Sequence, residues 1–188
     1  KGNKELGLQQ LRDCAENGKF SKTEANVVLC FVHSKYERNY TEALKYAVKL
    51  TAQYPANPMF QRFLGTCYIG LYNWSEAEIL YRFILANNDS GKIGYTGPYV
   101  KREASYYYAV AISKMNKLDE GLKYYQQAYD ISKELDKDDT SPFQVFSVLG
   151  MGIIYDQKGD RNEAIKYYNR VLEMKDIDNS RETAQRFK

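Results

Sequence analysis

Apolar residues along this chain recur every three or four positions and are set off by short polar turns, the period of a helix with one buried face. Four stretches show it most plainly: residues 40–50 (YTEALKYAVKL), 74–85 (WSEAEILYRFIL), 118–129 (LDEGLKYYQQAY) and 161–172 (RNEAIKYYNRVL). The pattern predicts nine or ten helices, over about 3–16, 21–37, 41–54, 58–71, 75–87, 99–115, 119–135, 142–157 and 161–174, with 179–187 as the tenth. No stretch reads as a strand. Local signals mark the starts. Ser21-x-x-Glu24 and Ser75-x-x-Glu78 read as capping boxes, in which side chains satisfy free backbone N–H groups. Asn57-Pro58 and Ser141-Pro142 place Pro at the first helical position behind a good cap, and Gly159-Asp160 reads as a stop followed by a start.

The four stretches are in phase with one another. Ala43, Ala77, Gly121 and Ala164 each follow an acidic residue and lead an apolar and aromatic run, and each run is preceded by a second helical pattern. The spacings between them are 34, 44 and 43 residues. The two longer ones each hold about ten extra residues, located at 87–98 (NNDSGKIGYTGP) and 132–142 (SKELDKDDTSP). Gly7 to Cys14 resembles Gly121 to Ala128, so the chain starts on what reads as the second helix of a partial copy. The organisation is one repeat domain over 1–188: a partial repeat 1–16, repeats at about 21–55, 58–90, 99–135 and 142–175, and a further first helix or capping helix at 179–188. Both ends read as a window cut from a longer protein.

Composition removes most chemistry. With 27 Lys+Arg against 24 Asp+Glu, the net charge of +3 is too small to argue for a nucleic-acid or membrane-surface partner. No run approaches the length of a membrane-spanning helix, so no membrane insertion is expected. Cys14, Cys30 and Cys67 are too few and too spread for a disulfide framework. His33 is the chain's one histidine, and Cys30-x-x-His33 lacks the further ligands that a zinc site needs. Both read as helix residues packed near one another. No catalytic set, metal site or cofactor is expected, and the chain is read as no enzyme. Gly91-x-x-Gly94-x-x-Gly97 lacks the strand, Lys and Ser/Thr of a phosphate loop and reads as a mobile inter-repeat loop. Asp136-x-Asp138-Asp139 lacks the Gly and terminal Glu of a calcium loop and reads as a solvated acidic helix end. Of the glycosylation-like triplets at Asn39, Asn73 and Asn88, two are accounted for by Thr41 and Ser75 acting as caps.

The residues resemble tetratricopeptide repeats. The second repeat carries Leu64-Gly65, Tyr68, Trp74, Ala77 and Tyr81; the fourth carries Gly152, Tyr155, Gly159, Ala164 and Tyr168; the third carries Ala109, Gly121, Tyr125 and Ala128. The first is weaker, with Ala43 and Pro55 in place but Phe31 where a small residue is usual. The resemblance covers roughly the whole chain and accounts for most of the 18 Tyr as packing residues between helices. It implies an all-α fold, a right-handed α-solenoid of antiparallel helix hairpins whose hollow is lined by first helices.

The resemblance further implies a non-catalytic scaffold that holds a peptide or partner protein in that hollow. The groove positions carried over are Val28, Val32, Lys35 and Tyr36; Met59, Arg62, Thr66 and Ile69; Tyr106, Val110, Ser113 and Lys114; and Leu149, Ile153, Asp156 and Gln157. Val28 and Val32 stand where the family's carboxylate clamp has Lys and Asn, so chaperone-tail binding is not expected. The alternative is a docking or regulatory segment of a larger multidomain enzyme or assembly. Homo-oligomers through uncapped ends fit either reading. Unpaired Cys favour a reducing compartment without excluding a periplasm, so the expectation is a soluble protein in cytoplasm or periplasm.

Overall fold

A computed structural model describes residues 2–137 and 139–188. Among them are ten α-helices: α1 (Lys4–Asn17), α2 (Lys22–Phe31), α3 (Tyr40–Gln53), α4 (Pro58–Gly70), α5 (Trp74–Asp89), α6 (Pro98–Lys114), α7 (Leu118–Leu135), α8 (Pro142–Gln157), α9 (Arg161–Glu173) and α10 (Ser180–Phe187). No strand occurs among the described residues. The chain falls into two compact units, up to Leu80 and from Tyr81 on, the division lying inside α5.

In the first unit α1, α2, α3 and α4 pack in sequence, each against the next. Their shared core holds Leu8, Leu29, Cys30, Ala43, Tyr46, Leu50, Phe60 and Cys67. In the second unit α6 packs on both α7 and α8, and α8 packs on α9 and α10 as well. Helices two apart in sequence therefore lie side by side, as stacked hairpins require. That core is larger and centres on α8, with Val145, Val148, Met151 and Ile154 meeting Ala109, Tyr125, Ala164 and Tyr168. α10 closes it by burying Ala184 and setting Phe187 against Tyr168, at 5.9 Å between ring centroids. Its outward residues Arg181, Glu182, Gln185 and Arg186 are polar and exposed.

The phase seen in the sequence has a backbone counterpart. Arg38, Tyr72, Asn116 and Gly159 all adopt positive φ (51, 61, 63 and 82°). Each stands two residues before its second helix and five before Ala43, Ala77, Gly121 or Ala164. One left-handed residue thus reverses the chain in every repeat, and the small residue follows at a fixed distance. Only Gly159 adopts that conformation without the Cβ penalty. The small residues sit where helices cross closely. A Cβ on Gly121 would collide with the Ser113 hydroxyl, and one on Gly150 would come within 2.5 Å of the Tyr125 ring.

Several local expectations need correction. The Asn57-Pro58 and Ser141-Pro142 starts are as expected, the caps accepting from Met59 N at 3.0 Å and Gln144 N at 3.3 Å. Ser21 precedes α2 but makes no side-chain capping bond. Ser75 lies inside α5, which begins at Trp74. Asn39, not Thr41, caps α3, its Oδ1 accepting from Glu42 N at 3.1 Å. The expected helix over 21–37 is α2 followed by a π-helical turn, Val32–Tyr36, closed by Glu37 N donating to Val32 O. The wider turn lets His33 and Ser34 both face inward. His33 stacks on Tyr46 with ring centroids 5.8 Å apart, and its Nδ1 lies 2.7 Å from Glu37 Oε2.

The two extra segments are part helix extension and part loop, as their position between repeats allows, since α5 and α7 extend through Asp89 and Leu135. The first is pinned down. Tyr95 is fully buried edge-on to Phe83, Lys92 lies over both rings, and Asn88 Nδ2 donates to Tyr95 O at 2.6 Å and Gly97 O at 3.2 Å. The acidic helix end is not solvated at its first member. Asp136 Oδ1 accepts from Arg102 Nη1 at 2.7 Å, with both side chains 11% exposed. Asp139 pairs with Lys175 at the surface, and Asp138 lies outside the described residues.

Candidate functional site

Hairpin stacking in the second unit leaves one wall of α6 and one of α8 facing each other, with α7 behind. On α6 the helical repeat brings Tyr106, Val110, Ser113 and Lys114 to one side. On α8 it brings Phe146, Leu149, Gly150, Ile153, Ile154 and Gln157 to the facing side. Together with Tyr125 of α7 these residues line a cleft of ≈ 240 Å³. Tyr106 crosses toward Tyr125 and Phe143, with ring centroids 5.9 and 5.4 Å away, and so forms the cleft's aromatic wall. Gly150 makes room for the Tyr125 ring that forms the floor. Burial pushes the Tyr106 and Tyr125 hydroxyls well above the ordinary phenol range, so both stay neutral and bring no charge to the site.

Of the groove positions carried over from the third and fourth repeats, Tyr106, Val110, Ser113, Lys114, Leu149, Ile153 and Gln157 line this one cleft. Asp156 does not. Its carboxylate accepts two bonds from Arg161 Nη1 at 2.8 Å and one from Tyr168 Oη at 2.6 Å, which tie it to α9. Burial works to raise its pKa, but Tyr168 and Arg161 outweigh that and hold it below the usual aspartate range. The groove positions of the first two repeats belong to the first unit and take no part in the cleft. Val28 and Tyr36 are exposed and Val32 packs against the core. Lys35 and Tyr36 fall in the π turn. Met59 is exposed, Arg62 and Ile69 are partly buried, and Thr66 Oγ1 donates to its own helix at Arg62 O, 3.0 Å away.

The carried-over positions omit Tyr125, Phe146, Gly150 and Ile154, which also line the cleft. The α8 face was readable: 146, 149, 150, 153, 154 and 157 follow one another at helical spacing. Cys30 and Cys67 are buried together in the first unit's core, where contact with the Cys67 thiol and burial push the Cys30 thiol up and leave it unreactive. Among the described residues no cluster of His, Cys, Asp and Glu is placed to hold a metal ion, and no helix is long and apolar enough to cross a membrane.

Comparison with known proteins bears on this region directly. The family model described as tetratricopeptide repeat matches residues 102–176, which contain every residue of the cleft. No curated protein sequence matches the chain. Solved structures do. MamA (residues 41 to the end) from Desulfovibrio magneticus RS-1 is similar with a TM-score of 0.69 and 17% identity, covering 90% of this chain and 84% of that one. The apo form of RapI gives 0.72 at 12% identity, over 97% of this chain and 65% of its own. YrrB, described as a tetratricopeptide-repeat protein with an unusual peptide-binding site, gives 0.65 at 18% identity over 97% and 83%. The repeats are a scaffold for protein–protein interaction in general. The family model thus matches the chain over 102–176, and over nearly its whole length the chain has the fold of solved structures that include a tetratricopeptide-repeat protein.

Proposed function

We propose that the chain is a non-catalytic interaction module and that the cleft between α6, α7 and α8 holds a segment of a partner polypeptide. The observation that carries this reading is the cleft itself. Tyr106, Val110, Leu149 and Ile153 surround an open volume of ≈ 240 Å³ that the chain leaves unfilled. An apolar side chain seated there gains about 1.5–3 kcal/mol from burial. One such anchor gives weak binding, so the partner presents a segment with several spaced contacts, in extended or helical form. A separate partner chain and a docking role inside a larger assembly use the same surface.

The test is affinity capture from the native source with the wild-type chain beside Val110→Glu/Ile153→Glu, both checked for unchanged helical circular dichroism. The reading expects a protein captured by the wild type and lost with the variant. A photo-crosslink from that protein should map to 106–114 or 146–157. Capture that is indifferent to the variant, with crosslinks elsewhere, would remove the cleft from the function.

A further inference from the structure

The cleft's chemistry also says which kind of segment it takes. No carboxylate lines it. Asp156, next to Gln157 in sequence, is paired with this chain's own Arg161, and Asp119, five residues after Lys114, with Lys158. Lys114, exposed at the last turn of α6, contributes the one formal charge among the lining residues, and no carboxylate pairs with it among the described residues. Beside it, Ser113 Oγ donates back to Ala109 O at 2.6 Å and is left as an acceptor, while Gln157 is an exposed neutral amide. The apolar wall thus ends in an uncompensated ammonium. An acidic residue on the ligand finds a partner there, and a basic one finds repulsion.

Resting on the peptide-binding reading above, we propose that the cleft selects polypeptide segments carrying an internal Asp or Glu within two residues of a large apolar anchor, the acid pairing with Lys114. The spacing follows from the helix. Val110 and Lys114 line the cleft four residues apart on α6, about 6 Å along it at ~1.5 Å per residue, which extended chain at ~3.3 Å per residue spans in two steps. Lys114 and the apolar wall line the same small volume, so anchor and acid are near neighbours in the ligand's sequence.

The probe is a random peptide library displayed inside a carrier loop, so that no peptide has a free C-terminus, selected on the whole chain. The expected result is enrichment of a large apolar residue with Asp or Glu one or two positions away. A synthetic copy of an enriched peptide should bind Lys114→Glu at least about tenfold more weakly, and Lys114→Gln by an intermediate amount. Exchanging its acid for Lys should restore binding to Lys114→Glu. The contact is at the surface, so binding should also weaken as salt rises. Lys114 is exposed, and both substitutions are expected to leave the fold and thermal midpoint unchanged. Three results overturn the proposal while the peptide-binding reading stands. They are anchors enriched without an acid, an acid preference that Lys114→Glu does not change, and binding that needs a free C-terminal carboxylate or a phosphate. If no enriched peptide crosslinks to 106–114 or 146–157, the peptide-binding reading falls and the acidic preference with it.

Discussion

Three glycines distinguish packing from backbone geometry, because substitution to alanine should be costly at two of them for different reasons and harmless at the third. In α8, a Cβ on Gly152 would lie 2.7 Å from Tyr168 Cε1, 3.0 Å from Cδ1 and 3.1 Å from Tyr167 Cβ. Ordinary contact begins near 3.4 Å, so the ring must retreat by about 0.7 Å. It has little room to do so, being 1% exposed with its hydroxyl bonded to Asp156. Overpacking a core site costs about 1–3 kcal/mol, and so tethered a ring belongs in the upper half of that range. Alanine's better helix propensity offsets about 1 kcal/mol. The net is a loss of about 1–2 kcal/mol, or roughly 2–8 °C in midpoint for a chain of this length. Gly7, in α1, has nothing within 4 Å of a Cβ, so Gly7→Ala should be neutral or stabilise by up to ~1 kcal/mol. Gly159 also has open space but a φ of +82°, so its alanine should cost about 1–2 kcal/mol through backbone strain. Urea unfolding followed by helical circular dichroism reads all three. The deciding measurement repeats Gly152→Ala in a Tyr168→Leu background, where the collision is gone and the substitution should become neutral or favourable. An equal loss in both backgrounds, or a Gly152→Ala midpoint at or above wild type, would refute the close-crossing argument.

Other consequences are equally direct. Arg102→Met strands the Asp136 carboxylate beside the start of α8 and should cost about 3–5 kcal/mol, whereas Arg102→Met/Asp136→Leu should cost less than either single change; denaturant midpoints decide. Tyr95→Ala removes the buried ring that pins the 90–97 loop, so trypsin should cut after Lys92 many times faster than in wild type; unchanged cleavage would mean the loop is held otherwise. The depressed pKa of Asp156 makes its stabilisation complete above its ordinary value of 3.8 and lost as pH falls through the lower folded-state value. The stability gap between wild type and Asp156→Asn should therefore narrow as pH falls below about 4, and a constant gap would contradict the pairing with Tyr168 and Arg161.

What the sequence disclosed, and what it hid, follows from the range of the interactions. The helices and their phase were legible because period and small-residue notches are local, and Ala43, Ala77, Gly121 and Ala164 mark every second helix. The turn residues were only half legible: Gly159 announces a left-handed turn, but Arg38 and Tyr72 adopt it against their own preference because the packed hairpin leaves no alternative. The π turn at Val32–Tyr36 was hidden, since no local signal says that His33 and Ser34 must both face inward to reach Tyr46 and the core. Asp136 looked solvated because its cation stands 34 residues away. Asp156 looked like a groove residue because the family resemblance carried a groove position onto it, and it lies outside the cleft because Arg161 and Tyr168 on α9 take its carboxylate.

The same reasoning explains why the candidate site lies on α8. This helix packs against α6, α7, α9 and α10, and such encirclement calls for apolar residues on nearly every face. Val145, Val148, Met151 and Ile154 answer neighbouring helices in the core. Phe146 and Ile153, with the edge of the buried Leu149, belong to the same apolar run but face α6 across the cleft, whose floor is the Tyr125 ring seated against Gly150. Apolar surface that a core leaves uncovered favours a ligand that covers it. A substitution that fills this gap from within should therefore compete with any ligand while leaving the core, and the helices, as they are.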